Sequence, residues 1–279
     1  MPVDVPARVL AHEAINPDHR LLTLEAPRIA RAAKPGQFVM LQVAPGRDPL
    51  LRRPMSICRV PDRARRRIEV LYKIIGEGTR ALAARRPGDT VLTLGPLGNG
   101  FTLPRGAEGG AATRGRSGGR DGEGPLVLVA GGIGIAIFPF LADELQRAGR
   151  SATLLFGARG RRDLVYTAPL RARGVAIRYA TEDGSRGVRG FVTRLLEPML
   201  AATPKPRLYV CGPTPMLRAV GDLAAKAGAP CQLALESQMP CGIGVCLGCV
   251  VACPGDAHGP IFRRVCTEGP IFAAGQVSW

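Results

Sequence analysis

Cys241-x4-Cys246-x2-Cys249, with Cys266 returning after sixteen intervening residues, dictates how the C-terminal part of this 279-residue chain is built. This is the plant-type ligand spacing for a [2Fe–2S] cluster. Four thiolates must converge on two irons, so three come from one tight loop and the fourth arrives from a distance. Gly242, Gly244 and Gly248 let the backbone wrap closely and aim N–H groups at sulfur. Two other readings use the same cysteines. Cys246-x2-Cys249-x3-Cys253-Pro254 resembles the end of a bacterial four-iron run, although that run needs a cysteine where Ile243 stands. Cys246, Cys249, Cys253 and His258 have the residue types of a structural zinc site. In the first reading Cys253 is a bystander.

The rest of the composition sets the class. At roughly 150 residues per domain the length suggests about two domains, enough to fold without staples. With 46% hydrophobic residues, disorder throughout is excluded. The net charge is +16, and apart from Lys34, Lys73, Lys205 and Lys226 every base is an arginine. Such a balance raises nucleic-acid or membrane-surface binding. The arginines are scattered, however, and 5% aromatics leaves few stacking platforms for bases. The opening MPVDVPARVL lacks the basic and apolar regions of a signal peptide. A cytoplasmic, reducing setting is therefore expected, where crowded cysteines hold metal and disulfides are rare. The uncharged run 125–142 reaches transmembrane length, but its three glycines and two prolines favour a strand, a turn and a helix start.

Residues 1–103 read as short strands at 8–11, 20–25, 37–43, 55–60, 68–75 and 90–94, separated by Pro/Gly turns, with one helix over 79–84. That spacing predicts an antiparallel barrel or sandwich. Residues 104–124 are Gly/Arg-rich and read as a linker or insertion, with an RGG-type RNA-binding segment as the alternative. Over 125–230, strands at 126–130, 152–156, 175–179 and 207–210 alternate with helices at 137–148, 191–200 and 215–227, which predicts a parallel α/β sheet. Residues 231–279 form a small loop-rich tail.

Several junctions carry chemistry. Gly131-Gly132-Ile133-Gly134 joins a strand to a helix, a place where amides and a helix start can hold a pyrophosphate. The dinucleotide fingerprint nevertheless fails at Ile137, where Gly or Ala is required. Cys211-Gly212-Pro213-Thr214 and Gly76-Glu77-Gly78-Thr79 are similar junctions, and Arg52-Arg53-Pro54-Met55-Ser56 sets a cation and a hydroxyl beside a rigid proline. Each alone has an ordinary packing explanation.

Taken in order, RRPMS, GEGT, GPLGNGF, GGIGIA, CGPTPM and the cysteine cluster resemble the ferredoxin–NADP reductase superfamily. More narrowly, ALESQMPCGIGVCLGCVV (234–251) and RRVCTEGPIF (263–272) resemble the electron-transfer subunits of class B dihydroorotate dehydrogenase. The resemblance implies a flavin-binding β-barrel, a nicotinamide-nucleotide α/β domain and a small [2Fe–2S] domain. It implies that Arg53, Pro54, Met55 and Ser56 line FAD, with Leu71, Tyr72, Lys73, Gly78 and Thr79 completing that site. Gly131, Gly132, Gly134, Cys211, Gly212 and Pro213 would place NAD, and Cys241, Cys246, Cys249 and Cys266 would hold the cluster. No catalytic triad or carboxylate pair is needed, because the cofactors carry the chemistry. Two departures stand out. Ile137 and Phe138 precede Pro139 where the family has proline at once, which predicts a shifted helix start. The Cys249–Cys266 interval is long, which predicts an extra turn at 254–259.

The implied function is an electron conduit in pyrimidine biosynthesis. A partner FMN-binding dihydroorotate dehydrogenase subunit, in a heterotetramer, would deliver electrons through [2Fe–2S] and FAD to NAD+. A related NAD(P)H-dependent reductase serving a ferredoxin, hydrogenase or oxygenase would carry the same motifs. A zinc-bearing nucleic-acid-binding module is the remote alternative. Arg159, Arg161 and Arg162 favour NADP on electrostatics, whereas the resemblance favours NAD.

Overall fold

A computed structural model describes residues 1–44, 46, 48–103, 124–257 and 259–279. The Gly/Arg-rich stretch 104–124, save Gly124, and His258 of the zinc reading lie outside the described residues.

Six strands form one antiparallel sheet. They are β1 (Val3–Ala14), β2 (His19–Glu25), β3 (Phe38–Leu41), β4 (Arg53–Ser56), β5 (Arg67–Lys73) and β6 (Thr90–Leu97), ordered β4-β3-β6-β1-β2-β5. Just beyond β4 the two edges meet: Cys58 N donates to Glu69 O at 2.8 Å, and Glu69 N donates to Arg59 O at 2.9 Å. The sheet is thus a near-barrel. Period-two alternation sends Leu22 and Leu24 of β2, and Ile68, Val70 and Tyr72 of β5, into its core. Two short helices interrupt the strands, α1 (Pro27–Ala32) and α2 (Glu77–Ala83). α1 carries no expectation from the sequence; Pro27, with its fixed φ, starts it. α2 starts two residues before the expected 79.

The second sheet is largely parallel. β7 (Leu126–Gly131), β8 (Ala152–Ala158), β9 (Ala176–Thr181), the two-residue β10 (Val188–Arg189), β11 (Arg207–Cys211) and β12 (Cys231–Ala234) run in order β10-β9-β8-β7-β11-β12. Its helices are α3 (Phe138–Arg147), α4 (Ala168–Arg171), α5 (Thr193–Leu200) and α6 (Thr214–Ala227). β7 is buried on both faces: Val127 and Val129 join one core, and Leu128 and Ala130 the other. The apolar run 125–142 is therefore a strand, a 3-10 turn over Gly132–Ile137 and the start of α3. Among the described residues no helix is long and apolar enough to cross a membrane.

The tail is more ordered than its composition suggests. β13 (Val250–Asp256) and β14 (Gly259–Arg264) make a hairpin between the third and fourth cluster cysteines, and β15 (Ile271–Ala273) pairs antiparallel with β12. The second sheet thus runs on past residue 230, because β12 and β15 complete its edge.

One helix belongs to both halves. Phe138, Leu141, Ala142 and Leu145 of α3 pack under the parallel sheet, whereas Phe140 enters the barrel core beside Val9, Ile29 and Ala30. Phe140 is 1% exposed. Phe140→Ala should cost about 3–5 kcal/mol of stability, read by urea unfolding. A loss under about 1 kcal/mol, the size of a surface change, would show the contact to be peripheral.

Candidate functional site

A cleft of about 330 Å³ opens where the barrel, the parallel sheet and the tail meet. That lies at the lower end of small-molecule sites. Most of the residues expected around flavin face it. β4 contributes Arg53, Pro54, Met55 and Ser56, and β5 contributes Leu71, Tyr72 and Lys73. Thr79 also lines it. Gly78 stands one step behind: a Cβ there would fall 2.5 Å from Arg53 Nε, so only glycine lets the guanidinium lie flat on the start of α2. Arg53 also donates through Nη1 to Leu51 O.

Several of these side chains are held by neighbours. The Thr79 hydroxyl accepts from Ile75 N at 2.9 Å and Gly76 N at 3.0 Å, and donates to Gly76 O at 2.9 Å. It therefore shapes the turn that presents α2. Tyr72 OH lies 2.8 Å from His12 Nε2, while His12 Nδ1 lies 2.8 Å from Arg85 O. A carbonyl only accepts, so Nδ1 carries the ring proton and Nε2 accepts from the phenol. Burial pushes the Tyr72 phenol well up, against the opposing field of Arg20, so it stays a donor. Lys73 reaches across the cleft rim to Asp163 Oδ1 at 2.6 Å.

The nicotinamide-side residues divide. Gly134 and Cys211 line the cleft with Ile133, Ala136 and Ile137. Gly131, Gly132, Gly212 and Pro213 are absent from its wall, because the two junctions pack on each other. A Cβ on Gly134 would lie 2.4 Å from Cys211 O, and one on Gly131 would lie 2.7 Å from Met216 Sδ. Gly132 takes φ +52°, the left-handed region that suits glycine. The 3-10 turn ends at Ile137, and α3 begins at Phe138 with Pro139 in its first turn. Burial, and then the charge of Glu236, push the Cys211 thiol far up and keep it protonated.

Sequence reasoning left out the third wall. Ala234 at the end of β12, Leu235, Glu236, Ser237 and Met239 after it, and Pro270 before β15 complete the cleft. All but Pro270 sit in the segment that leads to Cys241, and all lie in the two segments, 234–251 and 263–272, that carry the narrow resemblance. Glu236 has its surface open to solvent, yet the protein packed around it still desolvates its carboxyl and raises its pKa.

Beyond Met239 the chain enters the cysteine loop. Nearby donors, the amides of Cys246, Ile243 and Val245 and the Cys246 thiol, act on the Cys241 sulfur. Desolvation pushes Cys241 up, but these donors outweigh it and bring it to about 6. Cys266 pairs with Cys249: its amide donates to Cys249 Sγ at 3.4 Å. Desolvation first, then the Cys249 hydrogen bond and charge, push the Cys266 thiol to about 12. The Gly244 amide opposes this rise, and Gly248 N donates to Cys246 Sγ at 3.4 Å. Among the described residues no group of three or more His, Cys, Asp and Glu side chains is arranged to hold a metal ion. The cysteines meet as two pairs ringed by N–H donors, a set that suits two irons with two thiolates each. Cys253 lies apart in β13, where burial raises its thiol and Arg263 and Glu268 are its charged neighbours. The hairpin β13–β14 fills the interval where an extra turn was expected.

The loop rests on the barrel. A Cβ on Gly242 would fall 2.5 Å from Met40 Cγ, and Asn99 ties down the returning chain by accepting from Ile271 N at 2.9 Å and donating to Glu268 O at 3.1 Å. Met239 and Pro270, which line the cleft, stand two residues before Cys241 and four after Cys266. The cleft and the cysteine loop are thus two ends of the same short segments.

Comparison with known proteins agrees with this architecture. Residues 236–278 match the iron–sulfur cluster binding domain of dihydroorotate dehydrogenase B, and 128–222 match an oxidoreductase NAD-binding domain. The chain is 36% identical over 274 residues to a Desulforamulus reducens protein, covering 98% of this chain and 97% of that one. It is 38% identical over 256 residues to one from Bacillus caldolyticus, covering 92% and 91%. Both are named dihydroorotate dehydrogenase B (NAD(+)), electron transfer subunit. Among solved structures, an NADH-dependent reduced ferredoxin-NADP oxidoreductase aligns with TM-score 0.80 and 25% identity over 99% of this chain and 90% of that one. A Neisseria gonorrhoeae ferredoxin NADP+ reductase with bound FAD and NADP shares the fold at TM-score 0.62 and 20% identity, over 81% and 92%. At this identity over almost its whole length, the chain belongs to the family of dihydroorotate dehydrogenase B electron-transfer subunits.

Proposed function

We propose that this protein carries electrons from a partner FMN-binding dihydroorotate dehydrogenase subunit to NAD+, through a [2Fe–2S] cluster and FAD. The observation that carries the reading is the continuity between the cysteine loop and the cleft through Met239 and Pro270. Electron donors and acceptors need only be close and fixed, and these segments keep the two sites within a few residues of each other. When bound, the iron–sulfur centre supplies one-electron relay and the flavin joins single electrons to two-electron hydride chemistry.

The chain's own residues bind, orient and exclude water. Cys241, Cys246, Cys249 and Cys266 hold the cluster, and the amides of Gly248 and Cys266, which donate to Cys246 Sγ and Cys249 Sγ, stabilise charge on its sulfurs. Arg53, backed by Gly78, offers a fixed cation to the flavin diphosphate. Ser56 and the His12-oriented Tyr72 stand at the ring, and the Gly131–Gly134 and Cys211–Pro213 junctions seat the nicotinamide. NAD fits better than NADP. Asp183 crowds Gly160, between Arg159 and Arg161, with its Oδ2 2.6 Å from where a Cβ would stand. Hydrogen bonds from the Ser185 hydroxyl and amide hold that carboxyl below its usual pKa, so a carboxylate offsets part of the charge of Arg159, Arg161 and Arg162 that would otherwise favour a 2′-phosphate. The setting is cytoplasmic, and the assembly is a heterotetramer with the FMN subunit.

The purified protein should be coloured by flavin and [2Fe–2S], and NADH should bleach it. With its FMN partner it should couple dihydroorotate oxidation to NAD+ reduction. A colourless protein sinks the reading. Colour without coupling to that partner, but with reduction of a ferredoxin, would favour the reductase reading that the 25%-identical structure suggests. Cys266→Ser should lose the cluster absorbance while Cys253→Ser keeps it; the reverse result would reassign the fourth ligand. Arg53→Ala should weaken flavin retention by about 1.5–3 kcal/mol, the worth of a charged hydrogen bond, measured by flavin release on dilution. Unchanged retention would remove Arg53 from the diphosphate site.

A further inference from the structure

A buried polar network joins the barrel to the parallel-sheet domain. Arg59 donates to Glu69 Oε2 through Nη1 at 3.4 Å and to Asp143 Oδ2 through Nε at 3.4 Å. Arg173 Nε donates to Asp143 Oδ1, and Tyr166 OH donates to Glu69 Oε2 at 3.2 Å. Arg59 and Glu69 belong to the barrel, whereas Asp143 on α3, Tyr166 and Arg173 belong to the other domain. The ion-pair side chains are only 10–18% exposed. Two cations face two carboxylates, so the network is neutral as a whole. Tyr166 takes φ +56°, a left-handed backbone that a tyrosine seldom adopts and that the surrounding contacts must hold.

We infer that Glu69 and Asp143, with Arg59, Arg173 and Tyr166, are positioning residues that fix how the nicotinamide-bearing wall approaches the flavin-bearing wall. Glu69, Leu71 and Lys73 alternate along β5, so they share one face of the strand. All three meet the other domain. Glu69 accepts from Tyr166, Leu71 packs in the core that holds α3, and Lys73 pairs with Asp163 at 2.6 Å. Leu71 and Lys73 also line the cleft, as do Ile133, Gly134 and Ile137 just before α3. Any slide at the network therefore moves both walls of the site. Apolar burial of Phe140 holds the domains together without direction. Directional bonds at the network set the register between them, the role for which buried ionic groups are best attested.

This inference rests on the function proposed above, and stopped-flow reduction of the flavin by NADH in the full-length holoprotein tests it. Asp143→Asn and Glu69→Gln should each lower the limiting reduction rate at least about tenfold, since small misplacements of reacting groups cost up to about a hundredfold. The NADH concentration at half-saturation should shift less than about threefold, as expected when binding is kept and transition-state geometry is lost. Flavin and iron content should match the wild type. Tyr166→Phe removes one hydroxyl and keeps the ring; it should lower the same rate about threefold and decides the matter if the charge variants do not fold. Unchanged limiting rates overturn the inference, and so does a fall that merely tracks lost flavin or weaker NADH binding. A wild-type flavin that NADH does not reduce would refute the proposed function instead.

Discussion

Helix α3 buries side chains in two cores at once, and the architecture depends on that double seat. Phe138 and Leu141 fill the space under the parallel sheet, while Phe140 fills space among barrel strands. Burying aromatic surface is the largest favourable contribution a single side chain makes here. Because the residues are neighbours on one rigid helix, neither domain can rotate without exposing one of them. Arg65 reinforces the seat from the barrel side. It bonds the α1 carbonyls of Ala30 and Ala33 at 3.0 and 2.8 Å, and lies over the Phe140 ring at 5.7 Å. The cleft exists because the 3-10 turn leading into α3 is thereby pressed towards β5.

The tail follows from the same geometry. β12 extends the parallel sheet beside β11, in register from Leu208↔Cys231 to Cys211↔Ala234, and β15 returns against it. Those two strands aim the segments 235–240 and 266–270 across the mouth of the cleft towards the barrel. The cysteine loop then meets Met40 and Leu97 at Gly242, where a side chain would collide. The thiolates are thus anchored to the scaffold at both ends. The hairpin β13–β14 hangs off the far side, carrying Ile261 and Phe262 on the surface.

What the sequence disclosed was whatever local chemistry demands. The cysteine spacing, the cation-proline-serine strand at 52–56 and the capped GEGT turn each encode a short-range constraint, and the structure brings all three to one side of the molecule. Pro139 marks the start of α3, because proline is tolerated only in the first turn of a helix. Pairings across long separations stayed hidden. β12 reads as cysteine-rich tail because four residues give too little pattern to assign a sheet neighbour. Glu69, Asp143 and Tyr166 are unremarkable in sequence; only closure of the barrel edge and docking of α3 bring them together. The hairpin was invisible because Cys253-Pro254-Gly255 interrupts one strand and Gly259-Pro260 opens the other, which reads as turn rather than strand.

The arginine excess becomes intelligible once acceptors are counted by type. With 22 acids for 38 bases, carboxylates cannot partner every cation. Some pairs are close to ideal, such as Arg52 with both oxygens of Asp4 at 2.8 Å. Many other arginines bond the backbone. Arg20 reaches Asn16 O at 2.7 Å, Arg85 reaches Val43 O at 3.2 Å, and Arg194 reaches Arg189 O at 3.0 Å. Arg171 and Arg186 both lie over the Tyr179 ring, at 5.8 and 4.5 Å from its centre. A planar guanidinium with five donors can bridge carbonyls and cover a ring, which an ammonium does poorly. From residue 231 onward the side chains sum to −1 and the 104–124 segment to +1, so the excess of +16 lies in the two domains that would face flavin and nicotinamide phosphates. The basic composition that first raised nucleic acid thus clothes two domains around an anion-receiving cleft, with many of its guanidiniums tied to carbonyls, carboxylates and a ring of the same chain, beside a tail that carries thiolates.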